Sequence, residues 1–344
     1  MFASCLSLVT PVGLTPQSTF AALRARIDAF EELPYFDRDN EPIIGAFIED
    51  IPLEVRGRNR LAALLALAVE TLPPETHSLP WPQIPVFFCT REDMRPGPRR
   101  NGVMSNLKLA NDAPFPQGRA AHLPLGPIGG FQAMQQAQAL LARNEAPACL
   151  IVAADSLIDA RALHWLETNT RLKTKTQSDG VIPGEAASIT LVSSRPMMPT
   201  GVRIDGLGFA TEKATLDNDE PMMGFGLADA LKAALAQAKI AMHDVDFRIS
   251  DVAGESFFFE EVVLAQTRTM RKVRPSQPLW HAADCIGDTG AVAGPIQFAW
   301  AEQGYARGYA PGATSVLLGS SSFGPRAAAI IRDQNEGQGA RHVA

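Results

Sequence analysis

Cysteine pairs, histidine clusters and excess basic charge are all missing from this 344-residue chain. Its four cysteines (Cys5, Cys89, Cys149, Cys285) stand far apart with no CxxC pair. That spacing excludes a disulfide framework and an ordinary structural zinc site, and it fits a reducing compartment, expected to be the cytoplasm. The six histidines form no HxH or HExxH pattern, so no metal and no cofactor is expected. No apolar run reaches the length of a bilayer-spanning helix, and no basic residue precedes Arg24, where a secretory leader would carry one. Lysine and arginine number 31 against 37 acids, a formal charge of −6, which argues against nucleic acid or an anionic membrane surface as partner. A phosphate loop is missing too: Gly126-Pro127-Ile128-Gly129-Gly130 lacks the Walker lysine, and a proline interrupts its amides.

What is present is the composition of a globular protein, 46% hydrophobic with mean hydropathy near zero. A strand is expected over 2–10, then a helix from Pro16 through Phe20, Leu23 and Ile27 to Phe30. The stretch 32–58 has no clear period, Leu61, Leu64, Leu65 and Ala68 form a helical stripe, and 84–89 reads as a buried strand. An irregular loop over 91–117 follows. Helix and strand then alternate: a helix through Phe131 to Leu141, strands at 148–154 and 186–192, and in the second half strands at 202–209, 247–252, 314–318 and 327–331 with helices at 226–240, 258–270 and 290–302. This alternation predicts a layered α/β protein with helices covering apolar strands.

Four stretches together resemble the β-ketoacyl-carrier-protein synthases, the condensing enzymes of the thiolase superfamily. They are Leu8-Val9-Thr10-Pro11-Val12-Gly13 with the helix start Ser18-Thr19-Phe20; Gly129-Gly130-Phe131 leading to Ile151-Val152-Ala153-Ala154-Asp155; Asp179-Gly180-Val181-Ile182-Pro183-Gly184-Glu185-Ala186-Ala187; and Gly290-Ala291-Val292-Ala293-Gly294 with Ser321-Ser322-Phe323-Gly324. The resemblance implies a five-layered αβαβα fold of two similar halves, residues 1–193 and 194–332, followed by a disordered tail over 333–344. It also implies pairing into a homo- or heterodimer.

The family's chemistry requires a cysteine thiolate at a helix N-terminus and two histidines, or a histidine and an asparagine, that stabilise an enolate. Placed by the same motifs, these positions are Ile128, Ala253 and Gly287, and none of the three can attack a thioester or donate the needed hydrogen bond. No catalytic residue is therefore expected. Other residues expected near the old pocket are His122, Gly129, Glu255, Ser256 and Phe323, with His281, Asp284 and Cys285 as a rival nucleophile group. For Cys89 and Cys149 a buried structural thiol is expected, for His122 a loop site bonded to backbone, and for Ser256 a helix cap. Arg91, Arg95, Arg99 and Arg100 form a basic cluster, either a solvated loop or a surface for an acidic acyl carrier protein.

The resemblance implies an inactive binding or scaffold partner. Such thiolase-like proteins occur beside bacterial type VI secretion effector and adaptor genes, which suggests a helper in effector assembly. The alternatives are a 3-oxoacyl-carrier-protein synthase-type acyltransferase, or the non-catalytic subunit of a ketosynthase heterodimer in fatty acid or polyketide synthesis.

Overall fold

The computed structural model describes residues 1–98, 101–105, 107–108, 115 and 120–335. Strand β1 (Phe2–Val9) leads into helix α1 (Pro16–Ala25) through a reciprocal cap, in which the Thr15 hydroxyl accepts the Ser18 N–H and the Ser18 hydroxyl accepts the Thr15 N–H, both at 3.1 Å. Arg26 closes α1 in the left-handed conformation, φ 55°. The helix thus stops short of the expected Ile27 and Phe30: Ile27 is exposed, and Phe30 opens strand β2. The aperiodic stretch is a hairpin, β2 (Phe30–Phe36) against β3 (Pro42–Ala46). Helix α2 (Arg58–Glu70), strand β4 (Val86–Thr90) and a fifth strand, β5 (Ala120–Pro124), follow. The sequence reading had no strand at β5.

The rest of the first half is α3 (Gly129–Ala142), β6 (Ala148–Ser156), α4 (Ala160–Thr168) and β7 (Glu185–Ser193). The second half contains β8 (Val202–Thr211), α5 (Phe225–Ala238), β9 (Phe247–Ser250), α6 (Ser256–Thr269), β10 (Leu279–Trp280), α7 (Ala283–Ile286), α8 (Ala293–Ala306), β11 (Thr314–Ser320) and β12 (Pro325–Asp333).

Ten strands join in the order β10-β9-β11-β12-β8-β1-β7-β6-β4-β5. Numbered within their own halves, the strands run 3-2-4-5-1 from each outer edge to the middle. The same topology is therefore written twice, and the halves meet where β1 and β8 share two paired positions, Phe2 with Arg203 and Ala3 with Val202. Apolar clusters define the layers. One lies under α2 on the outer face of the first half, one under α5 and α6 on the outer face of the second, and the largest between the halves around α3 and α8. This is the five-layered arrangement that the resemblance implied.

Helices α3 and α8 cross with almost no side chain between them: a Cβ on Gly130 would stand 2.7 Å from Pro295 Cδ, and one on Gly294 2.7 Å from the Pro127 carbonyl oxygen. Phe131 and Phe298 pack beside the crossing with ring centroids 5.4 Å apart. At the C-terminus order continues past the expected fraying point at 333, because Gln334 is buried and donates to the Pro199 carbonyl at 2.9 Å. Residues 336–344 lie outside the described residues.

Candidate functional site

A nucleophile in this architecture would sit where the turn Gly126–Ile128 enters α3, because unpaired amides and the helix dipole converge there. Ile128 occupies that point with φ −85° and ψ −7°, and it is buried in the core between the halves. Its alkyl side chain can hold no acyl group. The nearest thiol, Cys89, lies behind Gly129, whose Cβ would come 3.3 Å from Cys89 Cβ. Burial pushes the Cys89 thiol up to about 12, and that of Cys149 likewise, so both stay protonated and serve as packing groups.

Ala253 and Gly287 border a cavity of about 20 Å³, room for one water molecule, together with Asp251, Thr289, Gln297 and Trp300. Gly287 has φ 66°, and a Cβ there would stand 2.5 Å from the Ile182 carbonyl oxygen. No imidazole fits on this backbone. Asp251 and Asp288 are the carboxyls at the cavity; burial pushes that of Asp251 up to about 7 even though the Ser320 N–H donates to it at 2.7 Å.

Charged side chains cover the turns that lead into α3 and α8. Arg95 is buried and ion-paired with Asp155. Asp155 also accepts the N–H groups of Ala291 and Ser156, both at 2.9 Å. Arg95 Nε lies 4.0 Å from Glu92, and the Ser321 hydroxyl donates to Glu92 at 3.1 Å. Beside them Arg171 grips Glu255 with two bonds of 2.7 and 2.8 Å. It also lies over the Trp165 ring at 5.2 Å, and Trp165 in turn packs against Phe323 at 6.3 Å. Burial works against the charges of Arg95 and Arg171, but their carboxylate partners outweigh it and hold both guanidiniums above their ordinary value, with Asp288 adding to each. Burial pushes Glu92 and Glu255 upward, opposed by the same arginines. The result is a buried ion-pair network over these turns.

Several expectations change accordingly. Arg95 belongs to this network and is not a solvated or partner-facing cation; Arg91 is half-buried and bonded to the carbonyls of Glu92 and Pro98. Arg99 and Arg100 lie outside the described residues. Glu255 is spent on Arg171. Ser256 is the first residue of α6, and its N–H and hydroxyl both donate to Asp179 at 2.7 Å, so Asp179 does the capping. His122 sits on strand β5, exposed, its Nε2 2.7 Å from the Thr90 hydroxyl and its ring beside Phe88 on the outer face, turned away from the old pocket. His281 and Asp284 do approach, at 3.5 Å, but no hydrogen bond among the described residues joins His281 to Cys285. Burial raises the Cys285 thiol, and Asp284 and Asp28 add to the rise. These three residues border a different cleft, beyond α7 from the Ala253 cavity.

Glu92, Asp155, Arg171 and Asp288 were missed as site residues. Asp155 alone carried a signal, being a charge at the end of an otherwise apolar strand. Among the described residues no group of three or more metal-ligating side chains occurs, and no described helix is long and apolar enough to cross a membrane.

No family model matches the sequence, and no curated protein does. Solved structures do match. The ishigamide ketosynthase/chain length factor superposes with a TM-score of 0.69 at 15% identity, covering 97% of this chain and 99% of that one. The ketosynthase ApeO in complex with its chain length factor ApeC, from Xenorhabdus doucetiae, gives 0.74 at 12% identity over 96% and 97%. A type II polyketide synthase acyl carrier protein in complex with its ketosynthase bound to the hexaketide gives 0.74 at 13% over 96% and 99%. The chain therefore has the thiolase-type fold that these ketosynthase structures share.

Proposed function

We propose that this chain is a non-catalytic ketosynthase-fold subunit that pairs with a ketosynthase-type partner. One observation carries the reading: the approach to α3 ends on a buried isoleucine and is covered by paired charges, so the fold persists without a place for an acyl thioester. The neighbouring structures supply the partner class, since two of them contain a ketosynthase together with a chain length factor. Of the roles the sequence raised, this is the one with such support; none of the similar structures named above concerns secretion.

A surface for pairing is present. β5 ends the ten-stranded sheet, and among the described residues no strand pairs with its outer edge, leaving backbone groups open to a partner strand. Beside it a groove of about 500 Å³ between β4, β5 and α3 is floored by Phe87, Ala121, Ala139 and Leu140. The test is co-expression with the ketosynthase of the native host, followed by light-scattering mass measurement. A one-to-one complex is expected, and Leu140→Glu, which places a charge in the groove, separates it into free subunits without changing the circular dichroism of this chain. No complex, or a complex indifferent to Leu140→Glu, contradicts the proposal.

A further inference from the structure

The cavity beside Ala253 and Gly287 has room for about one water, whereas the cleft beyond α7 has about 610 Å³, the size of a small-molecule site. Its wall is aromatic: Trp280 stacks on Trp300 at 5.2 Å and lies 5.9 Å from Tyr309. The opposite rim is the last turn of α1, with Arg24 and Arg26. Both arginines are exposed, and among the described residues no carboxylate pairs with either. Arg24 rests instead on the Tyr309 ring, 4.1 Å from its centroid, a contact an arriving anion can share. Under the floor the buried Trp300 indole N–H and the Tyr309 hydroxyl stand together, the indole acting on the phenol as its hydrogen-bond partner. Of the residues lining the cleft, Arg24 and Arg26 are cationic and Asp284 is anionic, which leaves one positive charge in excess, suited to a single negative charge.

We infer that this cleft binds a planar aromatic carboxylate, its ring against Trp280 and its carboxylate on Arg24 and Arg26. The site stands apart from the pairing surface and does not depend on the proposed partner. The arginines form the charge-assisted bonds and the half-buried edge of Trp280 meets the ring, so both halves of the ligand are recognised.

The test follows the indole N–H signals of Trp81, Trp165, Trp280 and Trp300 in the nitrogen-15 labelled full chain as 2-naphthoate is added, with Trp81→Phe and Trp165→Phe variants for assignment. Saturating shifts of the Trp280 and Trp300 signals with a dissociation constant below about 1 mM are expected, with Trp81 and Trp165 unmoved. Arg24→Ala and Arg26→Ala, both surface changes, should each weaken binding about tenfold. Uncharged 2-naphthalenemethanol and the non-aromatic cyclohexanecarboxylate should both bind far more weakly. No saturation, equal shifts of all four signals, unaltered binding in the arginine variants, or equal binding of either control ligand would overturn the assignment.

Discussion

At the scale of single residues, the chain keeps charge inside and supplies each charge with a partner. Arg60 and Glu185 are both fully buried and joined by two bonds of 2.6 Å, while Arg60 also holds the carbonyls of Ile51, Pro52 and Val55. Arg326 and Glu261 repeat the device in the second half. Removing one member would strand its partner, which costs about 3–5 kcal/mol. Two buried carboxyls, Glu212 and Glu302, have no cation among the described residues, and Glu302 is the one that ties distant elements together. It accepts the Cys5 N–H at 2.7 Å and the Thr200 hydroxyl at 2.6 Å, linking α8 to β1 and to the connector between the halves. Burial pushes it from 4.5 up to about 7. The folded chain therefore keeps a proton that the unfolded chain releases, so Glu302 erodes stability as pH rises from 4.5 to about 7 and by a constant amount above. Glu302→Gln keeps the shape and removes the charge. Its thermal midpoint should match the parent at pH 5 and exceed it at pH 8 by about 2–5 °C; an equal or lower midpoint at pH 8 would show that the carboxylate is stabilising.

Elements show which features the sequence made legible. Runs such as Ala148–Ser156 and Glu185–Ser193 are buried on both faces because sheets in this fold are covered twice, and their continuous apolar character reads directly as strand. β5 escaped because its five residues, Ala-Ala-His-Leu-Pro, lie on a sheet edge where neither alternation nor a long apolar run is required. The end of α1 was misplaced because Arg26 stops it by backbone conformation, which apolar spacing does not encode. The ion-pair network was not legible in the sequence, since Arg95, Asp155, Arg171 and Glu255 meet only through tertiary folding. The α3–α8 crossing gives the element-scale prediction. Gly130→Ala forces a methyl group against Pro295, which should cost about 1–3 kcal/mol. A urea midpoint equal to that of the parent would show that the helices can separate freely there.

For the whole molecule, two copies of one topology share a single central core, so the halves support each other although they pair at only two strand positions. An active condensing enzyme must keep an open path through that core to a thiol. Under the proposed reading, Ile128, Arg95 and Asp155 close that path while the outer architecture stays available to a partner. Intact-mass spectrometry after incubation with acetyl- and malonyl-thioesters puts this directly to the test. The account predicts an unchanged mass at every time point, whereas a stoichiometric acyl adduct on any side chain would identify a working nucleophile and contradict it.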